Sequence, residues 1–483
     1  MNWLITIGLE THVQLATSSK IFSGAPTNFG ANPNTQASFV DLALPGVLPV
    51  LNKQVVEYAI RFGLAVNGKI AERSVFARKN YFYPDLPKGY QISQFEEPII
   101  EGGSLKILLN NTQKTIRLTR AHLEEDAGKS LHDMHPKSSA IDLNRAGTPL
   151  LEIVTEPDIN SSDEAVEYAK TLYDLVTWIG ICSGNLQEGN FRCDANVSVR
   201  KSPDSPLGTR REIKNLNSFK FLKSAIDFEI SWQIAELEEG NKISQATVLY
   251  DADRNETRIM RSKEDAHDYR YFADPDLLPL NINDEMVQRI KKDMPELPKE
   301  VRHRFEEKYQ LSAEDSKLLI ANRHIASYFE LTVEEAKKLV AFEGLEKLIS
   351  NWILGELYAA LNREELKIQK SPVGPSRLAK LISRICDGTL SSNLGKKVFE
   401  EIWATDNDVD EVISARGLKL ITDESEIEKI VINVISENPH MASEYKSGKD
   451  KALNALVGKI MKATKGKANP QQVKDILKIK LKD

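Results

Sequence analysis

The N-terminal stretch Trp3–Leu15 carries side chains that could bind a metal ion or transfer protons. Its residues alternate as in a β-strand, which places Glu10 and His12 on one face and Leu9 and Val13 on the other. A carboxylate and an imidazole on the same face can bind a divalent cation or act in acid–base chemistry. A solvated strand face is the simpler alternative for this strand taken alone.

Two further strand patterns contain carboxylates. In the segment 122–129 the alternation lets Glu124 share a face with Asp126, whereas Glu125 faces the other side. Glu152 lies within an apolar run. A charged carboxylate inside a sheet is costly unless a metal ion or a base pairs with it; a solvated glutamate at a strand edge is the alternative. The predicted divalent-metal site consists of Glu10, His12, Glu125 and Glu152.

The residue types of this site limit the choice of metal ion. Carboxylate oxygens suit Mg²⁺, whereas the imidazole of His12 suits Mn²⁺ better or acts through a water molecule. No phosphate-binding loop accompanies these residues, because Gly128-Lys129-Ser130 lacks the glycine that would stand at position 123. ATP use therefore cannot be inferred from such a motif.

The segment 76–90 supplies positive charge and aromatic rings. Arg78, Lys79 and Lys88 are interleaved with tyrosines, including Tyr81, ahead of a turn. This composition suits a site that holds a nucleotide or an acyl group by charge and stacking. An aromatic-rich packed turn is the alternative.

Two more segments contain candidate polar groups. In 190–200, Asp194 lies on a polar strand face, whereas Cys193 faces the other way and is expected in the core rather than as a nucleophile. His267 and Asp268 could form an acid–base pair, although a surface turn explains them equally well.

These residues require a sheet to position them, and the sequence predicts one. Up to about residue 280, short alternating runs are separated by Gly, Pro and Asn, which is typical of strands. Helical periodicity appears at 53–66, 161–180 and 218–240. The mixture predicts an α+β fold.

Beyond residue 283 almost every segment has a helical period with charged faces. The Pro- and Gly-containing stretch Lys370–Pro375 predicts a linker between two helical modules. We therefore predict an α+β domain at 1–290, an all-α domain at 291–370 and an all-α tail domain at 371–483.

The tail segregates its charge, with acidic residues concentrated in 400–428 and lysines in 446–482. Lys462, Lys465 and Lys467 surround a Gly-Pro turn, where ammonium and backbone N–H groups could hold RNA phosphates. A solvated helix face is the alternative.

Composition excludes several classes of protein. The chain has 483 residues, of which 41% are hydrophobic and 28% charged, so it is neither disordered nor collagenous. Its 3 cysteines form no C-x-x-C pair, which argues against a zinc knuckle or a disulfide framework. The N-terminus lacks the basic start of a signal peptide, and no apolar run is long enough to span a bilayer. We expect a cytoplasmic protein without membrane contact.

Several long motifs together resemble one family. They are Gly8–Leu15, Arg78–Asp85, Gln91–Phe95, His122–Lys129, Asn144–Glu152, Arg192–Asn196, Asp268–Phe272 and Lys465–Pro470. Over essentially the whole chain these stretches resemble the B subunits of the aspartyl/glutamyl-tRNA amidotransferases. The resemblance implies a cradle domain related to glutamine synthetase, with a mixed or antiparallel sheet, followed by a helical domain and a helical tail that binds tRNA.

The resemblance also implies a reaction and partners. In this family the chain uses ATP and Mg²⁺ to phosphorylate the side-chain carboxylate of Glu on tRNA(Gln), of Asp on tRNA(Asn), or of both. Ammonia, released from glutamine by a separate A subunit, then displaces phosphate, while a small C subunit wraps the other two. Such an enzyme is an ATP-dependent carbon–nitrogen ligase with misacylated tRNA as its substrate, bacterial in the first instance or organellar.

Motif positions carry over residue roles as well. The resemblance implies metal ligands at His12, Glu125 and Glu152, a second acidic pair at Glu10 and Glu124, a phosphate or carboxylate contact at Lys79, and a catalytic contribution from Asp194. Two other interpretations remain open: a non-catalytic tRNA-binding module, and a ligase that acts on free amino acids. The binding-module interpretation is disfavoured because buried acids would repel RNA. The free-amino-acid ligase interpretation leaves the lysine-rich tail unexplained.

Overall fold

The computed structural model describes residues 3–135, 137–214, 216–262, 269–419, 424–447, 449–464 and 466–482. The chain forms two compact units, Met1–Leu297 and Pro298–Asp483. Three residues singled out from the sequence, His267, Asp268 and Lys465, lie outside the described residues.

The first unit is built mainly from strands. In chain order they are β1 (Leu4–Gln14), β2 (Lys69–Ile70), β3 (Arg73–Ser74), β4 (Ala77–Asn80), β5 (Tyr90–Ser93), β6 (Ile100–Glu101), β7 (Ser104–Leu109), β8 (Thr112–Glu125), β9 (Lys129–His135), β10 (Ser138–Asp142), β11 (Pro149–Thr155), β12 (Phe191–Arg200), β13 (Arg211–Lys214), β14 (Ala246–Asp251), β15 (Glu256–Ser262), β16 (Phe272–Ala273) and β17 (Leu280–Asn281). Its helices are α1 (Lys53–Ala65), α2 (Ser162–Trp178), α3 (Phe219–Glu238) and α4 (Asp284–Lys292).

A ten-stranded sheet organises this unit. Its order is β15-β14-β13-β12-β1-β11-β8-β6-β2, and β7 pairs with β8 outside that path. The β13–β14 pair is parallel, whereas β1 pairs with β11 and β12 in antiparallel fashion. The sheet is therefore mixed, which is one of the two forms, mixed or antiparallel, that the family resemblance implies.

The two faces of the sheet differ in polarity. On one face Leu9, Val13, Ile153, Ala195 and Val197 are fully buried. The helices α2 and α3 pack on this side, against β1 and β12 respectively. The residues that alternate with them point to the opposite face. These include Glu10 and His12 on β1 and Glu152 on β11.

A smaller sheet, β16-β4-β5, lies beside the polar face because β5 packs against β8. Within it Lys79 of β4 pairs with Gln91 of β5. The small sheet thus brings a cationic strand next to the carboxylates of the large sheet.

The described residues of the second unit form helices and the connections between them, including a π-helical turn at Ile353–Leu357 and a short 3-10 helix at Ile368–Lys370. Its helices are α5 (Pro298–Lys308), α6 (Ala313–Leu319), α7 (Arg323–Leu339), α8 (Leu345–Trp352), α9 (Tyr358–Arg363), α10 (Pro375–Cys386), α11 (Ser392–Ala404), α12 (Val409–Ala415), α13 (Glu424–Glu437), α14 (Pro439–Lys446), α15 (Asp450–Ala463) and α16 (Pro470–Lys482). The predicted order, a mixed α+β part followed by a largely helical part, is confirmed. The relation to glutamine synthetase stays a prediction.

The predicted linker at 370–375 leads into α10, whose first residue is Pro375. Helix α10 packs on α7, and the hydroxyl of Tyr328 donates to the carbonyl of Val373 at 2.7 Å. The domain division at 370 stays a prediction. No helix in the described part of the chain is both long and apolar enough to cross a bilayer.

Candidate functional site

Three potential metal ligands converge on the polar face of the large sheet. His12 Nε2 lies 3.5 Å from Glu124 Oε1 and 3.4 Å from Glu152 Oε2. One ligand atom from each residue lies within 4.8 Å of the other two. The pairing of strands explains this arrangement. His12 lies opposite Glu152 in the β1–β11 ladder. Glu124 lies opposite Leu150 in the β11–β8 ladder, and Leu150 is two residues before Glu152 and so on the same face of β11. We call these three residues the carboxylate–histidine cluster.

The structure corrects the predicted place of Glu125. Its carboxylate accepts hydrogen bonds from Lys88 Nζ and from the backbone N–H of Ile92, the latter at 2.8 Å. Because adjacent residues of a strand face opposite sides, Glu124, and not Glu125, lies with His12 and Glu152 in the group that could hold a metal ion. Glu10 lines the same cavity, where Asn196 Nδ2 donates to its carboxylate at 2.8 Å.

His122 is a fourth member of this region that the sequence interpretation missed. Its Nε2 lies 3.3 Å from Glu152 Oε2 and 3.9 Å from Glu124 Oε2. Its other ring nitrogen, Nδ1, is buried without a hydrogen-bond partner among the described residues. The only available signal was its position two residues before Glu124, which places both on the same strand face.

The cluster attracts positive charge. Burial alone would lower the pKa of His12, but its hydrogen bond to Glu152 and the charges of Glu152 and Glu124 raise it to about 9. Burial and the charge of Glu152 raise the pKa of Glu124. Burial opposes ionisation of Glu152, yet the charge of His122 and hydrogen bonds from both histidines hold its pKa well below the usual range. Two carboxylate oxygens and one imidazole nitrogen so placed fit a divalent cation.

Lys79 brings a cation to the rim of the cluster. Its Nζ lies 5.0 Å from the ring centre of Tyr269 and 6.0 Å from that of Tyr81, and no ion pair involves it within the described part of the chain. Burial alone would lower its pKa, but the charges of Glu124 and Glu152 raise it. The ammonium group therefore stays charged and remains available to an anionic ligand.

Lys214 is a second cation that the sequence interpretation missed. Its Nζ contacts Asp194 Oδ2 at 2.8 Å and Glu212 Oε1 at 2.9 Å. Asp194, a predicted catalytic residue, is thus an ion-pair partner of Lys214 at the edge of the site. The β12–β13 pairing brings these residues together, and strand pairing cannot be read from local sequence.

The cluster opens into a cavity of about 470 Å³. The charged residues that line it include Glu10, His12, Lys79, Glu124, Glu152 and Lys214. We call it the carboxylate cavity. It places carboxylates that could hold a metal ion and cationic groups around one space, a combination that suits phosphoryl transfer.

Two of the predicted nucleotide-binding residues have other partners. Arg78 donates to Asp274 at 2.9 Å and to Asp276 at 2.8 Å, and Lys88 pairs with Glu125. Tyr81, the third, lines a cavity next to the carboxylate cavity. The structure thus brings Tyr81 to the site and places Arg78 and Lys88 in ion pairs beside it.

The predicted tRNA-binding lysines belong to the second unit. Lys462 lies exposed at the end of α15, and Lys467 lies half-buried in the connection to α16. Beneath them α13, α15 and α16 share a core that includes Ile427, Leu456 and Leu477.

Comparison with known proteins assigns the family. A family model described as the GatB/GatE catalytic domain matches residues 5–288, and one described as the GatB domain matches residues 327–481. Three bacterial relatives are named as the B subunit of aspartyl/glutamyl-tRNA(Asn/Gln) amidotransferase. The protein of Methylobacillus flagellatus is 60% identical over 481 residues, that of Cupriavidus metallidurans 59% over 488, and that of Thiobacillus denitrificans 59% over 481, each covering 100% of both chains.

These matches extend over the mixed-sheet unit that contains the carboxylate cavity and over most of the helical unit. The first match is to a catalytic domain, which supports the enzyme interpretation and not the non-catalytic binding module. The chain therefore belongs to the family of aspartyl/glutamyl-tRNA(Asn/Gln) amidotransferase B subunits.

Proposed function

We propose that this chain is the component of a tRNA-dependent amidotransferase that activates the side-chain carboxylate of a misacylated tRNA with ATP. The substrate is Glu-tRNA(Gln), Asp-tRNA(Asn) or both, and the products are Gln-tRNA(Gln) and Asn-tRNA(Asn). The observation that carries the proposal is the carboxylate–histidine cluster with the charged ammonium of Lys79 at its rim.

The proposed reaction has two steps. A carboxylate oxygen of the esterified amino acid forms a bond to the terminal phosphorus of ATP, and ADP leaves as the bond to its bridging oxygen breaks. The nitrogen of ammonia then attacks the acyl carbon, and inorganic phosphate leaves while ammonia loses a proton. No protein nucleophile is needed, in agreement with burial raising the pKa of Cys193 to about 12.

His12, Glu124 and Glu152 would hold the divalent cation, Mg²⁺ in the first instance or Mn²⁺ given the imidazole. When bound, the cation would neutralise negative charge on the phosphate oxygens. Lys79, whose ammonium faces the same space, orients the transferring phosphoryl group or the substrate carboxylate by direct charge contact. Glu10 and Asp194 complete the anionic side of the site, and Lys214 extends its cationic side.

The proposed assembly contains a glutaminase A subunit as the source of ammonia and a small C subunit. No cysteine is among the described residues that line the carboxylate cavity, so this cavity offers no thiol for glutamine hydrolysis. Lys462 and Lys467, with Lys465, are proposed to contact the tRNA. The relatives are bacterial, and we propose the bacterial cytoplasm as the compartment.

ADP formation by the assembled complex tests this function. The wild-type complex should form ADP with Glu-tRNA(Gln) or Asp-tRNA(Asn), each supplied separately, and not with the uncharged tRNA. We expect Lys79→Met to reduce this rate by about a hundredfold or more at saturating misacylated tRNA, because an oriented cation is lost.

Lys106→Met, which removes an exposed lysine on β7, is the matched control and should leave the rate unchanged. Equal ADP formation with charged and uncharged tRNA, or full activity of Lys79→Met, would contradict the proposal.

A further inference from the structure

A second cavity, of about 1180 Å³, adjoins the carboxylate cavity. The two share Lys79, Lys214 and Tyr269 in their linings. Aromatic rings dominate the rest of the second cavity: Tyr81, Phe82, Tyr83 and Phe272 line it. We call it the aromatic cavity.

A continuous series of ring contacts connects the two cavities. Phe95 and Tyr271, both in the lining of the carboxylate cavity, are stacked with ring centres 4.2 Å apart. Tyr271 contacts Tyr269 at 6.1 Å, and Tyr269 contacts Tyr81 at 6.2 Å. The series ends with Tyr83, whose ring centre lies 5.8 Å from that of Tyr81. A ligand in the aromatic cavity would therefore extend along ring faces and edges toward the metal-ligand residues.

The rings at the mouth of this cavity are unusually exposed. Phe82 is 88% exposed and Phe272 50% exposed. Phe82 rests against the backbone of Gly89, which has a positive φ of 73°, and a Cβ atom at that glycine would lie 3.2 Å from the ring. The ring is thus presented outward on a tight turn, where a planar ligand could stack on it.

The charge of the aromatic cavity suits a nucleotide. Lys79 and Lys214 lie at its inner end and Arg270 in its wall, and Asp85 is the one acidic residue among its described lining residues. Aromatic faces are the usual means of holding an unpaired base, and Arg270 is the cation in the cavity wall that could meet a backbone phosphate. An unpaired base with a flexible backbone can reach such a cavity, whereas a duplex cannot.

We propose that the aromatic cavity binds the 3′-terminal nucleoside of the misacylated tRNA, with its base stacked on Phe82 or a neighbouring ring. This inference rests on the proposed function and adds where the tRNA end lies. The ester then sits at the inner end, beside Lys79, so that the amino-acid side chain enters the carboxylate cavity where ATP is used.

The base of ATP has the same chemistry, but the open mouth and exposed rings favour the end of a polymer over a small molecule that a site can enclose.

Steady-state kinetics of the assembled complex test the assignment. In Phe82→Ala we expect the KM for Glu-tRNA(Gln) or Asp-tRNA(Asn) to rise by about tenfold or more, since stacking of one base contributes that order of affinity. The KM for ATP and the kcat should stay within about twofold. Phe82→Tyr, which keeps the ring, should restore the KM. Phe29→Ala, at an exposed aromatic residue outside the cavity, should leave it unchanged.

A binding measurement without catalysis separates this inference from the proposed function. Wild type should bind uncharged tRNA more tightly than the same tRNA lacking its terminal nucleoside, and Phe82→Ala should lose that difference. An equal loss of affinity for both tRNAs would overturn the assignment, because the ring would then contact another part of the tRNA. A rise in the KM for ATP alone, or no change in any quantity, would overturn it as well.

Discussion

Glu124 and Glu125 are neighbours in sequence with opposite environments. Glu124 faces His12 and Glu152, and its burial together with the charge of Glu152 raises its pKa. Glu125 accepts hydrogen bonds from Lys88 and from the backbone of Ile92 on the other side of the strand. Conservative substitution of each residue should therefore have a different consequence.

We expect Glu124→Gln to weaken Mn²⁺ binding by about tenfold or more, because an anionic ligand is lost. The free energy of unfolding should change less than in Glu125→Gln, because the substitution removes both a like-charge contact with Glu152 and an attraction to His12. Glu125→Gln should lower the free energy of unfolding by about 3 kcal/mol, since it leaves the partly buried ammonium of Lys88 without its anion. Titration with Mn²⁺ followed by electron paramagnetic resonance, together with urea unfolding, measures both quantities. The reverse pattern would reassign the ligand to Glu125.

For individual residues, the sequence predicted part of the site. Alternation within single strands was enough to place His12 and Glu152 on polar faces, because that pattern is local. The contributions of His122 and Lys214 depend on which strands pair and in what register, and that information is non-local. The choice between Glu124 and Glu125 needed the orientation of β8 in the sheet.

Among the elements, helices α1, α2 and α3 agree with the predicted segments to within two residues. For α2 the reason is visible, since the side chain of Ser161 accepts a hydrogen bond from the N–H of Glu164 at the predicted start. The parallel β13–β14 pair could not be predicted, because it depends on the long crossover through α3.

Helix α12 of the second unit offers a test at the level of an element. Its first turn contains Asp410, whose carboxylate accepts hydrogen bonds from Arg384 Nε at 2.7 Å and contacts Lys380 Nζ at 3.1 Å. The hydrogen bond from Arg384 is the main cause that lowers the pKa of Asp410 to about 2. Because the pKa of Asp410 is lower in the folded chain than its value of about 3.8 in the unfolded chain, the ionised carboxylate stabilises the fold at pH values above 3.8. This contribution is lost as the pH falls toward 2.

Asp410→Asn should therefore lower the free energy of unfolding of the full chain by about 1 kcal/mol at pH 7, a value kept small because the pair is partly exposed. It should also remove part of the loss of stability between pH 4 and pH 2. Urea unfolding followed by circular dichroism at both ends of this range measures the effect. Glu400→Gln, at an exposed position of α11, is the control. An equal acid dependence in wild type and Asp410→Asn would show that the pair does not stabilise the fold.

The whole molecule combines a mixed-sheet unit that carries the carboxylate cavity with a helical unit that ends in a lysine-rich segment. The order of these parts could be predicted, since the change from period two to period 3.6 near residue 283 is a property of the sequence alone. The net charge of −6 means that a polyanion must be bound by a local group of cations rather than by the overall field.

Lys462 and Lys467 provide the test of that local group. If both contact tRNA phosphates, the double variant Lys462→Ala/Lys467→Ala should bind tRNA about tenfold more weakly at physiological salt, because two phosphate contacts are lost. The slope of log affinity against log salt concentration should become shallower by about 1 to 2. ADP formation at saturating misacylated tRNA should be unaffected, since saturation offsets a loss of tRNA affinity and neither lysine is among the described residues that line the carboxylate cavity. Filter binding of tRNA over a salt series measures the slope, with Lys317→Ala on α6 as the exposed control.

An unchanged slope would exclude both lysines from the tRNA interface, whereas a loss of ADP formation at saturation would mean that the second unit also positions the substrate for chemistry.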